Sequence, residues 1–167
     1  MSRQDRPAFD TAFWFQWIVA TTVGWVLGRV LLPNIASVAA GVGASVMQWP
    51  ILYQRIPKAW RWAVVSAAAW IVGSILLLTA VPKDIQFLAS GLILGAIMGV
   101  AQWLILRHTV RWAGWWIVMS IVAWSTGLTL IPGILSTGAL VGALTGISLM
   151  LLSHNSKPPR PTNTEGS

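Results

Sequence analysis

The chain has 167 residues, of which 56% are hydrophobic and only 9% are charged, and its formal net charge is +7. A soluble domain carries roughly a quarter of charged residues, so this composition excludes a water-facing globular surface and predicts an integral membrane protein. There is no cysteine, which excludes disulfides, thiolate metal sites and thiol catalysis.

Six apolar runs follow one another along the chain, each about twenty residues long, which is enough to cross a hydrocarbon core of about 30 Å. Their continuity, without alternation of period two, favours helices over strands. The sequence therefore predicts an all-α membrane protein with one six-helix domain at 13–152, a polar segment at 1–12 and a disordered tail at 153–167. The runs are 13–32, 35–53, 60–81, 85–106, 112–131 and 134–152.

The basic residues are distributed unevenly between the two sides that these spans define. Nine of the eleven lysines and arginines fall on the side of the termini, and only Arg29 and Lys83 fall on the other. Such a bias in short loops sets membrane orientation, so we expect both termini in the cytoplasm and the chain in a bacterial inner (plasma) membrane. The same charge favours attraction to anionic lipid headgroups and not a nucleic-acid partner. The nine are Arg3, Arg6, Arg55, Lys58, Arg61, Arg107, Arg111, Lys157 and Arg160.

An internal repeat is visible when the chain is shifted by fifty-four residues. Residues 41–76 then align with 95–130, and fourteen of the thirty-six pairs are identical. The stretch "QWPILYQRIPKAWRW" at 48–62 corresponds to "QWLILRHTVRWAGWW" at 102–116. Repeats of fixed period indicate a stacked or ringed architecture, and we predict three helical hairpins in parallel orientation, at about 13–55, 60–108 and 112–153.

Small residues recur at every fourth position of the even-numbered helices. Such faces let helix backbones approach closely in lipid, so we predict helix packing there, with the even helices inside and the odd helices around them. A solute path along this groove is the alternative. The columns are Ser37, Gly41 and Ser45, then Gly91, Gly95 and Gly99, then Gly138, Gly142 and Gly146.

The odd helices carry tryptophans at two depths. Trp14, Trp17, Trp60, Trp62, Trp112, Trp115 and Trp116 lie near the cytoplasmic ends, where indoles anchor to headgroups. Trp25, Trp70 and Trp124 lie near mid-depth, where their N–H groups need acceptors.

Hydroxyls one turn before the deeper tryptophans are the candidate acceptors. Thr21, Ser66 and Ser120 could accept from those indoles, as a structural clasp or as the floor of a binding cavity, or could bond to their own helix backbone. Gln48 and Gln102 are candidates for interhelical hydrogen bonds and also for ligand contacts, including an axial amide on a chlorophyll magnesium. The third repeat has Leu149 at this position.

Acidic residues are missing from the spans. Asp5, Asp10, Asp84 and Glu165 lie in loops or tails, and His108 and His154 lie at helix ends without an acid or cysteine nearby. Proton relays, acid–base catalysis and zinc sites need such clusters. We therefore expect no catalytic residue, no metal and no cofactor, although pigment or lipid binding is compatible with the composition.

With its "QW-x-I-L" helix ends and "GWW" helix starts, the chain resembles small multi-pass bacterial membrane proteins rich in Trp and Gly, some from photosynthetic lineages. The resemblance covers 13–152, brings no activity with it, and is compatible with a thylakoid location. Short loops and abundant apolar surface lead us to expect a non-enzymatic scaffold, accessory subunit or assembly factor that contacts lipids and other membrane proteins. The alternative is a transporter or channel for a small neutral solute, since transporters often consist of repeats.

Overall fold

The computed structural model describes residues 10–53, 55, 56 and 58–154, and within them it is all-helical without strands. Most of the predicted polar segment and of the predicted disordered tail lies outside these residues. The last turns of α5 are π-helical, and a short 3-10 turn at Pro33–Ile35 precedes α2. The helices are α1 Thr11–Leu31, α2 Ala36–Tyr53, α3 Trp60–Ala80, α4 Gln86–Leu106, α5 Trp115–Ser125 with its π-helical continuation Thr126–Leu130, and α6 Ser136–His154.

The prediction of an all-helical chain with six helices is confirmed. Three of the helical segments, Pro33–Tyr53, Trp60–Ala80 and Gln86–Leu106, are long and apolar enough to cross a membrane, which indicates membrane association. The last two predicted runs correspond to shorter apolar helices, Trp115–Leu130 and Ser136–Leu152. The helix expected from residue 112 begins three residues later, because 111–114 form turns.

Side chains satisfy backbone groups at several helix ends. The Asp10 carboxylate caps α1 by accepting from the Phe13 N–H at 2.9 Å. Gln86, the first residue of α4, donates to the carbonyls of Leu77 and Val81 at 3.2 and 2.9 Å, near the end of α3. Thr137 of α6 donates to the Gly127 carbonyl at 2.7 Å. The bonds of Gln86 and Thr137 hold the α3–α4 and α5–α6 turns, which lie with the α1–α2 turn at the end of the molecule that we call the far end.

The six helices form a closed ring. Each helix packs against its neighbours in the chain, and α6 returns to pack against α1. The opposite end of the ring carries the α2–α3 and α4–α5 loops together with the start of α1 and the end of α6, and we call it the loop end.

The predicted radial order, with even helices inside and odd helices outside, is wrong. Helices α1, α3 and α5 are not neighbours in the ring, yet their tryptophans meet across its centre. A closed ring of six helices encloses more space than glycines can fill, whereas indoles fill it. The far layer is Trp25, Trp70 and Trp124, with ring centroids 4.5 to 5.8 Å apart, and the loop-end layer is Trp17, Trp62 and Trp116, with Trp62 at 6.0 and 5.6 Å from the other two.

The small residues of the even helices lie at contacts between neighbouring helices around the ring. A Cβ added to Gly95 would lie 2.7 Å from the Ile121 Cα, and one added to Gly142 would lie 2.8 Å from the Ile18 Cα. Gly91 and Gly99 face α5 in the same way, and Gly138 and Gly146 face α1. Gly41 lies against the Trp70 ring, whereas the Ser45 hydroxyl donates to the Gly41 carbonyl at 2.8 Å.

Two further glycines of α1, which the sequence analysis did not assign to packing, lie against α2. Gly24 meets the backbone of Gly43, and Gly28 meets the backbone of Ala39. Their spacing of four residues is the same signal that marked the even helices.

Candidate functional site

Buried glutamines join three helices in two equivalent places. The Gln48 amide donates to the Thr21 hydroxyl at 3.0 Å and accepts from the Trp62 indole N–H at 3.0 Å, so it connects α1, α2 and α3. We call Gln48 and Gln102, with their partners, the amide bridges. The expected interhelical bonding of both amides is thus observed.

The second amide bridge repeats the first one fifty-four residues later in the chain. Gln102 donates to the Ser66 hydroxyl at 2.8 Å and accepts from the Trp116 N–H at 2.9 Å. It therefore connects α3, α4 and α5. Gln102 is only 4% exposed, so water does not compete for these bonds.

Each bridge has a fixed direction. An indole N–H only donates, so the glutamine Oε1 must face it and Nε2 must face the hydroxyl. In the first bridge the series of hydrogen bonds continues, because the Thr21 hydroxyl donates to the Trp17 carbonyl at 2.8 Å. Each polar group in this series has a hydrogen-bond partner, which offsets the cost of burying it.

The third hairpin lacks its amide bridge. Leu149 occupies the matching position, and the Trp17 N–H donates instead to the Thr145 hydroxyl at 3.0 Å. The Thr145 hydroxyl in turn donates to the Val141 carbonyl at 2.6 Å. The Ser120 hydroxyl, buried where a third glutamine would donate, has no hydrogen-bond partner among the described residues. The role of Thr145 as an acceptor was not predicted from the sequence. The available signal was that Leu149 cannot accept a hydrogen bond, so the Trp17 N–H needs another acceptor nearby.

The far layer is held mainly by ring contacts. The Trp70 N–H donates to the Ser37 carbonyl at 2.9 Å, whereas the buried Trp25 N–H has no partner among the residues that the structure describes. Trp70 and Trp124 are in the closest ring contact of the layer, with centroids 4.5 Å apart.

The predicted pairing of Thr21, Ser66 and Ser120 with the deeper tryptophans is wrong. The hydroxyls of Thr21 and Ser66 receive glutamine amides from the neighbouring helix, and Trp70 uses a backbone carbonyl. A hydroxyl one turn before an indole on the same helix lies at the depth of the neighbouring amide, and not at the depth of the indole N–H. The alternative of bonding to its own helix backbone is observed for Thr21.

The assignment of Trp17, Trp62 and Trp116 to headgroup anchoring is also wrong. Each is at most 1% exposed and lies in the loop-end layer. Their depth in the sequence is that of an anchoring residue, but their helical face points to the ring axis. Trp60, Trp112 and Trp115, from the same helix starts, are instead exposed on the surface.

Both loops at the loop end fold over the ring. Ala59 from the first loop and Val110 and Ala113 from the second are buried in one cluster with the loop-end layer, and Ile56 packs against it. In the repeated phrase Ile56 corresponds to Val110 and Ala59 corresponds to Ala113, so each loop contributes two apolar residues three positions apart. The loop end of the axis is therefore covered by apolar side chains.

One ion pair fixes the start of α1 to the first loop. Arg55 pairs with Asp10 and lies over the Phe13 ring, 4.2 Å from its centroid. The hydrogen bond from the Phe13 backbone N–H and, to a smaller extent, the hydrogen bond from the Arg55 guanidinium hold the pKa of the Asp10 carboxyl below its ordinary value. This carboxylate lies outside the helical core and is engaged in structure.

The described residues hold no group of three or more His, Cys, Asp or Glu that could bind a metal. The buried polar groups of the amide bridges and of the far layer are amides, hydroxyls and indoles, which donate and accept hydrogen bonds but do not titrate near neutral pH. What this arrangement can do chemically is hold helices together or contact a neutral polar group.

A shallow groove lies on the outside of the ring between α1 and α2. Its volume is about 340 Å³, and its lining is apolar except for Gln16. Phe15 at its edge is 64% exposed, so the groove is part of the outer surface and is separate from the amide bridges.

Comparison of the chain with protein-family models, with curated proteins and with solved structures finds no match.

Proposed function

We propose that the chain is a non-enzymatic integral membrane protein with six transmembrane helices, built as three hairpin repeats of parallel orientation. Ring closure supports the six spans. Helices α1, α5 and α6 pack beside helices that are long and apolar enough to span, and this packing supports the proposal that they cross the same layer. The two equivalent amide bridges and the matching loop residues support the repeat.

The outer surface supports the membrane location. Large aliphatic side chains such as Val19, Val72 and Leu92 are 42%, 59% and 56% exposed on α1, α3 and α4. The polar side chains of the amide bridges are buried instead. This inverted distribution suits a hydrocarbon surrounding, in which polar groups must be satisfied internally.

A scaffold, accessory subunit or assembly factor of a larger membrane complex is the function that this geometry supports best. The observation that carries the proposal is the filled axis. Two layers of indoles occupy it, and both loops cover its loop end. A filled axis leaves the outer apolar faces as the working surface, which lipid and partner helices can cover.

Purification in mild detergent, with identification of co-purifying proteins and pigments, tests this proposal. The double variant Trp70→Phe with Trp124→Phe keeps aromatic packing but removes the indole N–H groups, including the one bonded to Ser37. Such bonds contribute on average about 0.6 kcal/mol in membranes. The double variant should therefore retain the wild-type partner set, and its loss of all partners would contradict a packing role for these residues.

A transporter or channel for a small neutral solute is the second candidate. The Trp25 N–H and the Ser120 hydroxyl, which have no hydrogen-bond partner in the described part of the chain, favour it, because buried donors without partners are suited to a ligand. Proteoliposomes of the wild type should show no uptake of neutral amino acids, sugars or polyols above that of empty vesicles. Uptake that the Trp70→Phe, Trp124→Phe variant loses would favour the transporter over the scaffold.

We place the protein in a bacterial inner membrane, with a thylakoid membrane as the alternative, and with the loop end in the cytoplasm. The charge bias of the full sequence supports this orientation. Single cysteines at the exposed Thr109 of the loop end, and at the exposed Asn34 and Asp84 of the far end, test it. An impermeant thiol reagent outside cells should label Asn34→Cys and Asp84→Cys only; labelling of Thr109→Cys would reverse the orientation.

A further inference from the structure

The two ends of the ring differ in charge and in aromatic surface. The charged side chains of the described loop end are five exposed cations and one partly buried acid: Arg55, Lys58, Arg61, Arg107, Arg111 and Asp10. Those of the far end are two cations and one acid: Arg29, Lys83 and Asp84. The loop end is therefore the basic face of the molecule.

Not every cation of this face is available to a partner. Arg55 is paired with Asp10, which neutralises its charge within the fold. Lys58, in the first loop, has a positive φ of 58°, and the Arg61 guanidinium lies 5.8 Å from the Trp60 ring centroid. Arg111 is exposed in the second loop. Lys58, Arg61 and Arg111 thus present charge from both loops.

Exposed indoles accompany these cations. Trp60, Trp112 and Trp115 are 51%, 59% and 59% exposed. Trp60 is next to Arg61 in the chain, Trp112 is next to Arg111, and Trp115 begins α5. Among the described residues, the tryptophans and the tyrosine that are exposed all belong to the loop-end half, whereas the far end exposes aliphatic side chains and Phe87. An amphipathic ring beside a cation suits the depth at which glycerol and phosphate groups lie.

We infer that Lys58, Arg61 and Arg111, together with Trp60, Trp112 and Trp115, form a docking surface for the phosphate groups of anionic phospholipids in the bilayer. Charge complementarity selects this partner, because zwitterionic headgroups offer no net negative charge to a surface with an excess of cations. The arrangement places cations from two loops at one level around the ring. This inference goes beyond the scaffold proposal and depends only on the chain lying in a bilayer.

Lipid retention by the full-length protein tests this surface. The protein is reconstituted in bilayer discs with equal amounts of phosphatidylglycerol and phosphatidylcholine, extracted in mild detergent, and the lipids that remain bound are counted by native mass spectrometry. We expect the wild type to retain phosphatidylglycerol preferentially and to lose the preference at high salt. Each of Lys58→Gln, Arg61→Gln and Arg111→Gln should lower the ratio of bound phosphatidylglycerol to bound phosphatidylcholine about fivefold. This change is the equivalent of about 1 kcal/mol per cation near an anionic surface.

Two other charge changes serve as matched controls. Lys83→Gln removes one cation from the far end, and the double change Asp10→Asn with Arg55→Gln removes a pair whose charges cancel. Both should keep the wild-type lipid ratio. Equal retention of both lipids by the wild type would overturn the inference, and so would an equal loss of preference in Lys83→Gln. Each single variant changes one exposed side chain only, so each is expected to fold and tests the surface independently of the others.

Discussion

Gln102 shows how one side chain can pair groups from two other helices. Its Oε1 accepts from Trp116 on α5 and its Nε2 donates to Ser66 on α3. The sequence predicted that both glutamines bond between helices, since an amide inside an apolar span needs partners. It did not identify the partners, because Trp116 and Trp62 lie at the depth of anchoring residues and only the helical face distinguishes the two roles.

Replacing Gln102 by Leu should destabilise the ring. The change leaves the Trp116 N–H and the Ser66 hydroxyl buried without partners, which should lower the free energy of unfolding by about 1–2 kcal/mol. Unfolding in mixed micelles measures the effect. Gln16→Leu is the control, because Gln16 is exposed on the outer groove, and it should change little. Equal stability of both variants would show that the amide bridges do not hold the helices.

Leu149→Gln should complete the third amide bridge. The new Nε2 would lie where it can donate to the Ser120 hydroxyl, which has no partner among the described residues. One such bond contributes on average about 0.6 kcal/mol in membranes, so we expect equal or slightly higher stability in the same unfolding measurement. The double variant Leu149→Gln, Ser120→Ala should lose this gain. A loss above about 1 kcal/mol in the single variant would contradict the proposed equivalence of the three hairpins.

At the scale of helices, the small-residue columns determine which elements become neighbours. Gly95 allows α4 to approach α5, and Gly142 allows α6 to approach α1. The pattern predicted close packing at these positions but not its direction around the ring. Sequence spacing gives the face of a helix, whereas the partner of that face depends on how all six helices close.

Even one methyl group at Gly95 should disturb this contact. The Cβ of Gly95→Ala would lie 2.7 Å from the Ile121 Cα, a backbone atom that cannot turn aside. Overpacking of this kind costs typically about 1–3 kcal/mol, measurable as a lower melting temperature in detergent. Gly114→Ala is the matched control, since nothing lies within 4 Å of its added Cβ. If Gly95→Ala and Gly114→Ala have the same melting temperature, α4 and α5 do not make the close contact at Gly95.

At the scale of the whole molecule, the helical class and the number of helices followed from hydropathy alone. The radial order could not be predicted from hydropathy, because the spacing of glycines and tryptophans along one helix does not show which of them faces the axis. In a closed ring the volume at the axis decides which of them turns inward, and that volume exists only once all helices are in place. The proposed function depends on the filled axis.

Whether water reaches the axis can be measured without knowledge of any solute. Because the chain has no cysteine, single cysteines can be placed at the buried Ser66 and Ser120, with the exposed Thr109 as the reference. In proteoliposomes, a small water-soluble thiosulfonate should modify Thr109→Cys and leave Ser66→Cys and Ser120→Cys unmodified, because thiolates form only where water reaches them. Modification of Ser66→Cys or Ser120→Cys at the rate of Thr109→Cys would contradict the filled axis and favour a transporter.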